Sequence, residues 1–155
     1  MTENEINKIA DKKIVNYAKT TTPIEWHKMA MDWNYDNSRF FFKWLIANNK
    51  TEKATILMIY WMSSPKNGFE YQSEIEENYT SEFYDNQNIG FDPKDDQGLD
   101  WTKEYPNLDS SKIPLVMFNK INGEKVEPSE KYIEGIPEDL FTEIEDLFEK
   151  YDIDN

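Results

Sequence analysis

His27 is the single imidazole among 155 residues, so a Ser-His-Asp relay in this chain must use it. Asn34 follows seven residues later, two helical turns on, which puts both on one helical face. With Asp36 and Thr55 they fit a buried polar network. In it Asn34 and Asp36 cap the following helix and His27 bonds to one of them. Read as chemistry, the same set gives general acid–base catalysis by His27 with a carboxylate to orient it. No activated nucleophile, metal-ligand set or glycine-rich phosphate loop accompanies it. The expectation is therefore a structural network, with no catalytic residue and no cofactor. The absence of Cys removes disulfides, thiolate zinc sites and cysteine nucleophiles.

Carboxylates are the other candidates. Asp92, Asp95, Asp96 and Asp100 share a stretch with Gly98. An EF-hand loop starting at Asp92 needs an acid or Asn at Lys94 and a glycine at Gln97; both fail, so a solvated loop without metal is expected. Glu74, Glu76, Glu77, Glu82 and Asp85 load a predicted helix and its exit. Like charges three or four residues apart, such as Glu82 with Asp85, cost a helix about 0.2–0.5 kcal/mol per pair. Tolerating them makes sense if the surface meets a cationic partner. Aromatics interleave with these acids (Tyr71, Tyr79, Tyr84, Trp101, Tyr105), and such residues make interface anchors. Trp101 is the first choice among them.

The net charge is −14, from 31 acidic and 17 basic residues. Residues 1–62 hold 9 basic and 7 acidic side chains; residues 63–155 hold 8 basic and 24 acidic. A nucleic-acid partner is not expected, because phosphate neutralisation needs a basic face. Aromatics at 15% argue against a disordered acidic chain. The longest apolar run, Ile56 to Met62, is seven residues against the roughly 20 that span a bilayer, so no membrane partner is expected. The first residues carry no targeting pattern, so the cytoplasm is the default location. Many Asn and Lys against one Arg suggest an AT-rich, bacterial genome.

The elements that must position these groups read as helices. Thr2 and Glu5 form a capping box before an apolar stripe over 3–19. Thr22-Pro23-Ile24-Glu25 starts a second helix, running to about Trp33. Asp36 or Asn37 caps a third, apolar nearly all round from Phe40 to Ala47. Thr51 caps a fourth, central helix that ends at Ser63-Ser64-Pro65. A fifth is predicted from Phe69 to Phe83, and Pro137 opens a sixth with the stripe Leu140, Phe141, Ile144, Leu147, Phe148 and Tyr151. Residues 84–111 are aperiodic and expected to pack through Phe91, Leu99, Trp101 and Tyr105. Residues 113–126 stay open between irregular chain and a short hairpin turning at Asn122-Gly123, with Pro114 confining it to an edge. The fold class is thus mainly α: a single domain over 1–155 of about six helices, a long irregular segment and that hairpin as an option.

The segment Glu25-Trp26-His27-Lys28-Met29-Ala30-Met31-Asp32-Trp33-Asn34-Tyr35-Asp36, with Lys53 to Met62 and Pro65, resembles a bacterial family known as domain of unknown function 4274. The features carrying the resemblance are His27, the Asn34-Tyr35-Asp36 turn, Thr55, and the Tyr60-Trp61 pair ending an apolar helix. They cover about residues 20–66, leaving 67–155 as the acidic C-terminal half. The resemblance implies a small helical fold and no established activity.

Two functions follow as expectations. One is a non-enzymatic acidic module binding a basic protein, in its concrete form an immunity-type inhibitor of a toxin such as a nuclease. Its partner-binding residues are Glu74, Glu76, Glu77, Glu82, Asp85, Asp92, Asp95, Asp96, Asp100 and Trp101. The other is a small enzyme working through His27 with Asn34 and Asp36, or an acidic adaptor of another role.

Overall fold

The computed structural model describes residues 1–151. Among them are six α-helices: α1 Glu3–Lys19, α2 Pro23–Met31, α3 Phe40–Ala47, α4 Lys53–Met62, α5 Gln72–Thr80 and α6 Glu138–Lys150. Between α5 and α6 lie three short 3-10 turns and one hairpin, β1 Tyr132–Ile133 with β2 Ile136–Pro137. The class is mainly α with a short hairpin. Chain contacts group into two compact units: Met1–Trp44 with the described part of Glu127–Asn155, and Leu45–Val126.

In the first unit α1 starts as its sequence dictates. The Thr2 hydroxyl accepts the Glu5 N–H at 3.2 Å and the Glu5 carboxylate accepts the Thr2 N–H at 3.1 Å. Ile6, Ala10, Ile14 and Ala18 are buried at helical spacing, and α1 packs against α6. Thr22 caps α2, accepting the Glu25 N–H at 3.5 Å. Pro137 precedes α6, Glu138 and Asp139 fill its first turn, and Ile144 and Phe148 are its buried residues. The hairpin pairs Tyr132 with Pro137 and Ile133 with Ile136. Its turn residues Glu134 and Gly135 both have positive φ, 51° and 83°. That is the left-handed pair a two-residue hairpin loop requires. A Cβ on Gly135 would sit 2.4 Å from the Met29 carbonyl oxygen, so the turn also needs glycine for room.

In the second unit α4 is the core. Every residue from Ala54 to Trp61 is buried, as the uninterrupted apolar run predicts. The Trp61 indole N–H donates to the Met117 carbonyl at 2.8 Å, and the Tyr105 hydroxyl donates to the Trp61 carbonyl. Residues 84–126 hold few regular elements yet are tied down. Phe91 bridges Ile121, Ile89 bridges Glu124, and Ile89, Phe91, Ile113, Met117 and Ile121 are buried.

Five local expectations are corrected. The hairpin lies at 132–137; Leu115–Phe118 forms a 3-10 turn instead. Gly123 serves close approach: a Cβ there would meet the Ile89 carbonyl carbon at 2.5 Å and the Asn88 oxygen at 2.7 Å. Thr51 does not cap α4, because its hydroxyl donates to the Leu45 carbonyl at 2.7 Å; Glu52 holds the N-cap position. On α3, Phe40, Lys43 and Ala47 are exposed, so that helix has an outer face, and the side chain meeting its start is Ser38, accepting the Phe40 N–H at 3.2 Å. Finally α5 is shorter than Phe69 to Phe83. Glu82 adopts φ 60°, the Glu82 N–H returns to Tyr79 O, and the Phe83 N–H returns to Asn78 O at 3.0 Å. This is a Schellman ending with glutamate where glycine is usual.

Candidate functional site

His27 lies on α2, 4% exposed. Burial disfavours the imidazolium and pushes its pKa down to about 4, so the ring is neutral at pH 7. Asn34 and Asp36 meet in a turn, the Asp36 N–H donating to the Asn34 side-chain oxygen at 3.0 Å. The Asn34 amide group donates to Glu134 at 3.0 Å. Asp36 itself is exposed, and Thr55 is fully buried on α4 of the second unit.

The acids predicted to meet a partner divide into two kinds. On α5, Glu74 and Glu77 are exposed, as is Glu82 beyond its end, and among the described residues none of the three has an ion pair. Glu76 differs. Its side chain is 16% exposed and pairs with Lys66 at 2.8 Å. It also accepts the Tyr60 hydroxyl at 2.7 Å and the Gln72 amide at 3.4 Å. Partial burial raises its pKa, but the bonds from Lys66 and Tyr60 outweigh that and hold it below the usual range. Tyr60 is pushed up by burial and by the neighbouring carboxylate. Glu76 thus ties α5 to α4 and is not spare surface. Asp85 is exposed and meets Asn49 at 3.1 Å and Lys50 at 3.3 Å.

In the loop the carboxylates turn onto backbone. Asp92 accepts the Lys94 N–H at 3.0 Å, Asp95 the Gly98 N–H at 3.1 Å, and Asp100 the Thr102 N–H at 2.9 Å. Asp96 accepts the Trp101 indole N–H at 2.9 Å. Trp101 is half-buried and stacks on Tyr105 with ring centroids 6.4 Å apart. These bonds shape the loop. No group of three or more His, Cys, Asp or Glu side chains arranged for a metal ion is present among the described residues.

Sequence reasoning passed over two clusters. Glu52 is 1% exposed and accepts the N–H groups of Asn88 at 2.7 Å and Ile89 at 2.8 Å, plus the Asn88 side-chain amide at 3.0 Å. Its only sequence signal is an acid just before an apolar helix. The second cluster joins Tyr17, Tyr132 and Glu25. The tyrosine hydroxyls lie 3.1 Å apart, and Tyr132 donates to Glu25 at 2.7 Å. Lys28 and Lys131 flank the carboxylate at 3.2 and 3.5 Å. Burial raises the Glu25 pKa, but the Tyr132 and Lys28 bonds prevail and lower it. Glu25, in the first turn of α2, thus turns its carboxylate onto this cluster.

Residues 21–89 match the model of a family described as a domain of unknown function, DUF4274. That segment belongs to the family. The DUF4274 match runs past the resembling residues to Ile89, where the chain meets the Glu52 carboxylate. No curated protein and no solved structure matches the chain. Among the described residues no helix is long and apolar enough to cross a membrane.

Proposed function

We propose that the protein is a non-enzymatic acidic binding module, an immunity-type inhibitor that neutralises a basic protein such as a nuclease toxin in the bacterial cytoplasm. The observation carrying this reading is the row Glu74, Glu77 and Glu82, exposed and free of ion pairs among the described residues, in a chain of net charge −14. Asp85, Asp92, Asp95, Asp96 and Asp100 extend the negative field, and the Trp101–Tyr105 stack supplies an aromatic anchor beside it. Carboxylates so placed stand where phosphates would on a basic cleft, and their field speeds encounter. Burial of His27 inside the fold, 4% exposed, supports the non-enzymatic side of the reading.

The test takes the basic protein encoded beside this gene, with association followed by surface plasmon resonance at low and high salt. The reading expects inhibition of that protein's activity. It also expects association to slow with salt, and to slow again in Glu74→Lys/Glu77→Lys/Glu82→Lys. Binding that ignores both salt and the triple variant overturns it.

A further inference from the structure

The first unit holds a pocket of about 280 Å³ that the partner-binding reading does not use. Its walls are α1 at Asn7 and Ile14, α6 at Phe141, the stretch after α2 at Trp33 and Asn37, and the hairpin turn at Glu134. Ligand pockets run from about 300 to 1,000 Å³, so this one holds one small ring and not a chain of them.

Its polar groups are incompletely paired. Trp33 is 6% exposed, and its indole N–H is buried with no acceptor among the described residues. Buried donors are normally satisfied, so the occupant that fits carries an acceptor. The side-chain amides of Asn7 and Asn37 are half-buried and also make no hydrogen bond among the described residues. Each offers both donors and an acceptor. Glu134 receives the Asn34 amide on Oε1, which leaves Oε2 as a further acceptor. Beside these groups lie the apolar side chains of Ile14 and Phe141.

These groups select among occupants. A guanidinium or ammonium ion has no acceptor for the indole N–H. An anion meets the like charges of Asp11 and Glu134 in the lining. A hydrocarbon leaves the indole N–H and the two amides covered and unpaired. A hydroxyl accepts and donates at once, so it takes an N–H from Trp33 or an amide and gives its own proton to an amide oxygen or to Glu134 Oε2. Several hydroxyls on one small ring supply both kinds of partner, and the C–H groups between them match Ile14 and Phe141.

We propose that this pocket binds a single neutral sugar ring, its hydroxyls paired with Trp33, Asn7, Asn37 and Glu134 and its C–H face on Phe141. The inference is independent of partner binding through α5.

The test is a ¹H–¹⁵N NMR titration that follows the Trp33 indole and the Asn7 and Asn37 side-chain amides, assigned with Trp33→Phe, Asn7→Ala and Asn37→Ala. The probes are glucose, galactose, mannose and ribose. The controls are tetrahydropyran, a ring without hydroxyls, and glucuronate, a charged sugar. The expected result is a saturable shift of all three groups by at least one of the four sugars, with a Kd at or below about 10 mM. Asn7→Ala and Asn37→Ala, each lacking one hydrogen-bonding side chain, weaken that binding about three- to tenfold. The two variants lie on different elements, so one folded protein suffices. Both controls bind about tenfold or more weakly than the sugar. Saturation by none of the four sugars up to about 10 mM, equal binding of either control, or sugar binding unchanged in both variants overturns the proposal.

Discussion

The Glu52 carboxylate receives the backbone N–H of Ile89 at 2.8 Å, across 37 residues of sequence. The same oxygen takes the Asn88 N–H, so one buried side chain completes the hydrogen bonding of a turn and stands at the head of α4. Removing it strands two N–H groups, at about 1–3 kcal/mol each. Glu52→Ala is therefore expected to lower unfolding stability in urea by several kcal/mol. Glu52→Gln, which keeps one acceptor oxygen, loses less.

His27 sets a pH dependence. Its pKa is about 4 in the fold against about 6.5 when unfolded. The unfolded chain takes up a proton as pH falls below about 6.5, while the folded chain does not until about 4. The contribution is thus complete above 6.5 and lost as pH falls from there to about 4, some 3 kcal/mol in all. Urea titrations of wild type and His27→Gln across that range isolate the effect, because the loss specific to His27 disappears in the variant.

Glu76 and Glu77 are adjacent in sequence and differ in consequence. Glu76→Lys breaks the Lys66, Tyr60 and Gln72 contacts and is expected to cost roughly 1–3 kcal/mol. Glu77→Lys, on the exposed face, is expected to stay within about 0.5 kcal/mol. Thermal melts of the two single variants decide it.

Glu82→Gly is expected to stabilise the protein by up to about 1 kcal/mol, because residue 82 sits in the left-handed conformation that closes α5. A melting temperature at or below wild type contradicts that account of the α5 ending.

Leu57→Ala is expected to cost about 2–5 kcal/mol, since Leu57 is 0% exposed at the centre of α4. Its urea midpoint is the measurement.

The helices were legible because their signals are local. Thr2 with Glu5, Thr22 with Pro23, and the unbroken run Ala54 to Trp61 each announce themselves within a few residues. The corrections arise where a distant group competes. Thr51 stands where a cap is expected, yet the Leu45 carbonyl takes its hydroxyl. Asn122-Gly123 signals a turn, yet Gly123 leaves space for Ile89. Glu76 resembles any surface acid until Tyr60 and Lys66 are placed beside it. A pocket of the first unit, lined in part by Asp11, Glu134 and Glu145, is invisible for the same reason. Asp11 belongs to the first helix, while Glu134 and Glu145 arrive more than a hundred residues later.

The first unit is discontinuous: α1 and α2 pack with segments that follow all of residues 45–126. Ribosomes extend chains at about 5–20 residues per second, so α1 waits several seconds for α6 to be made. During that time the Ile6, Ala10, Ile14 and Ala18 stripe is exposed, whereas residues 45–126 already carry their own core. The N-terminal stripe is thus the segment most in need of a chaperone during synthesis, and moving α6 to precede α1 in a circular permutant should shorten that exposure.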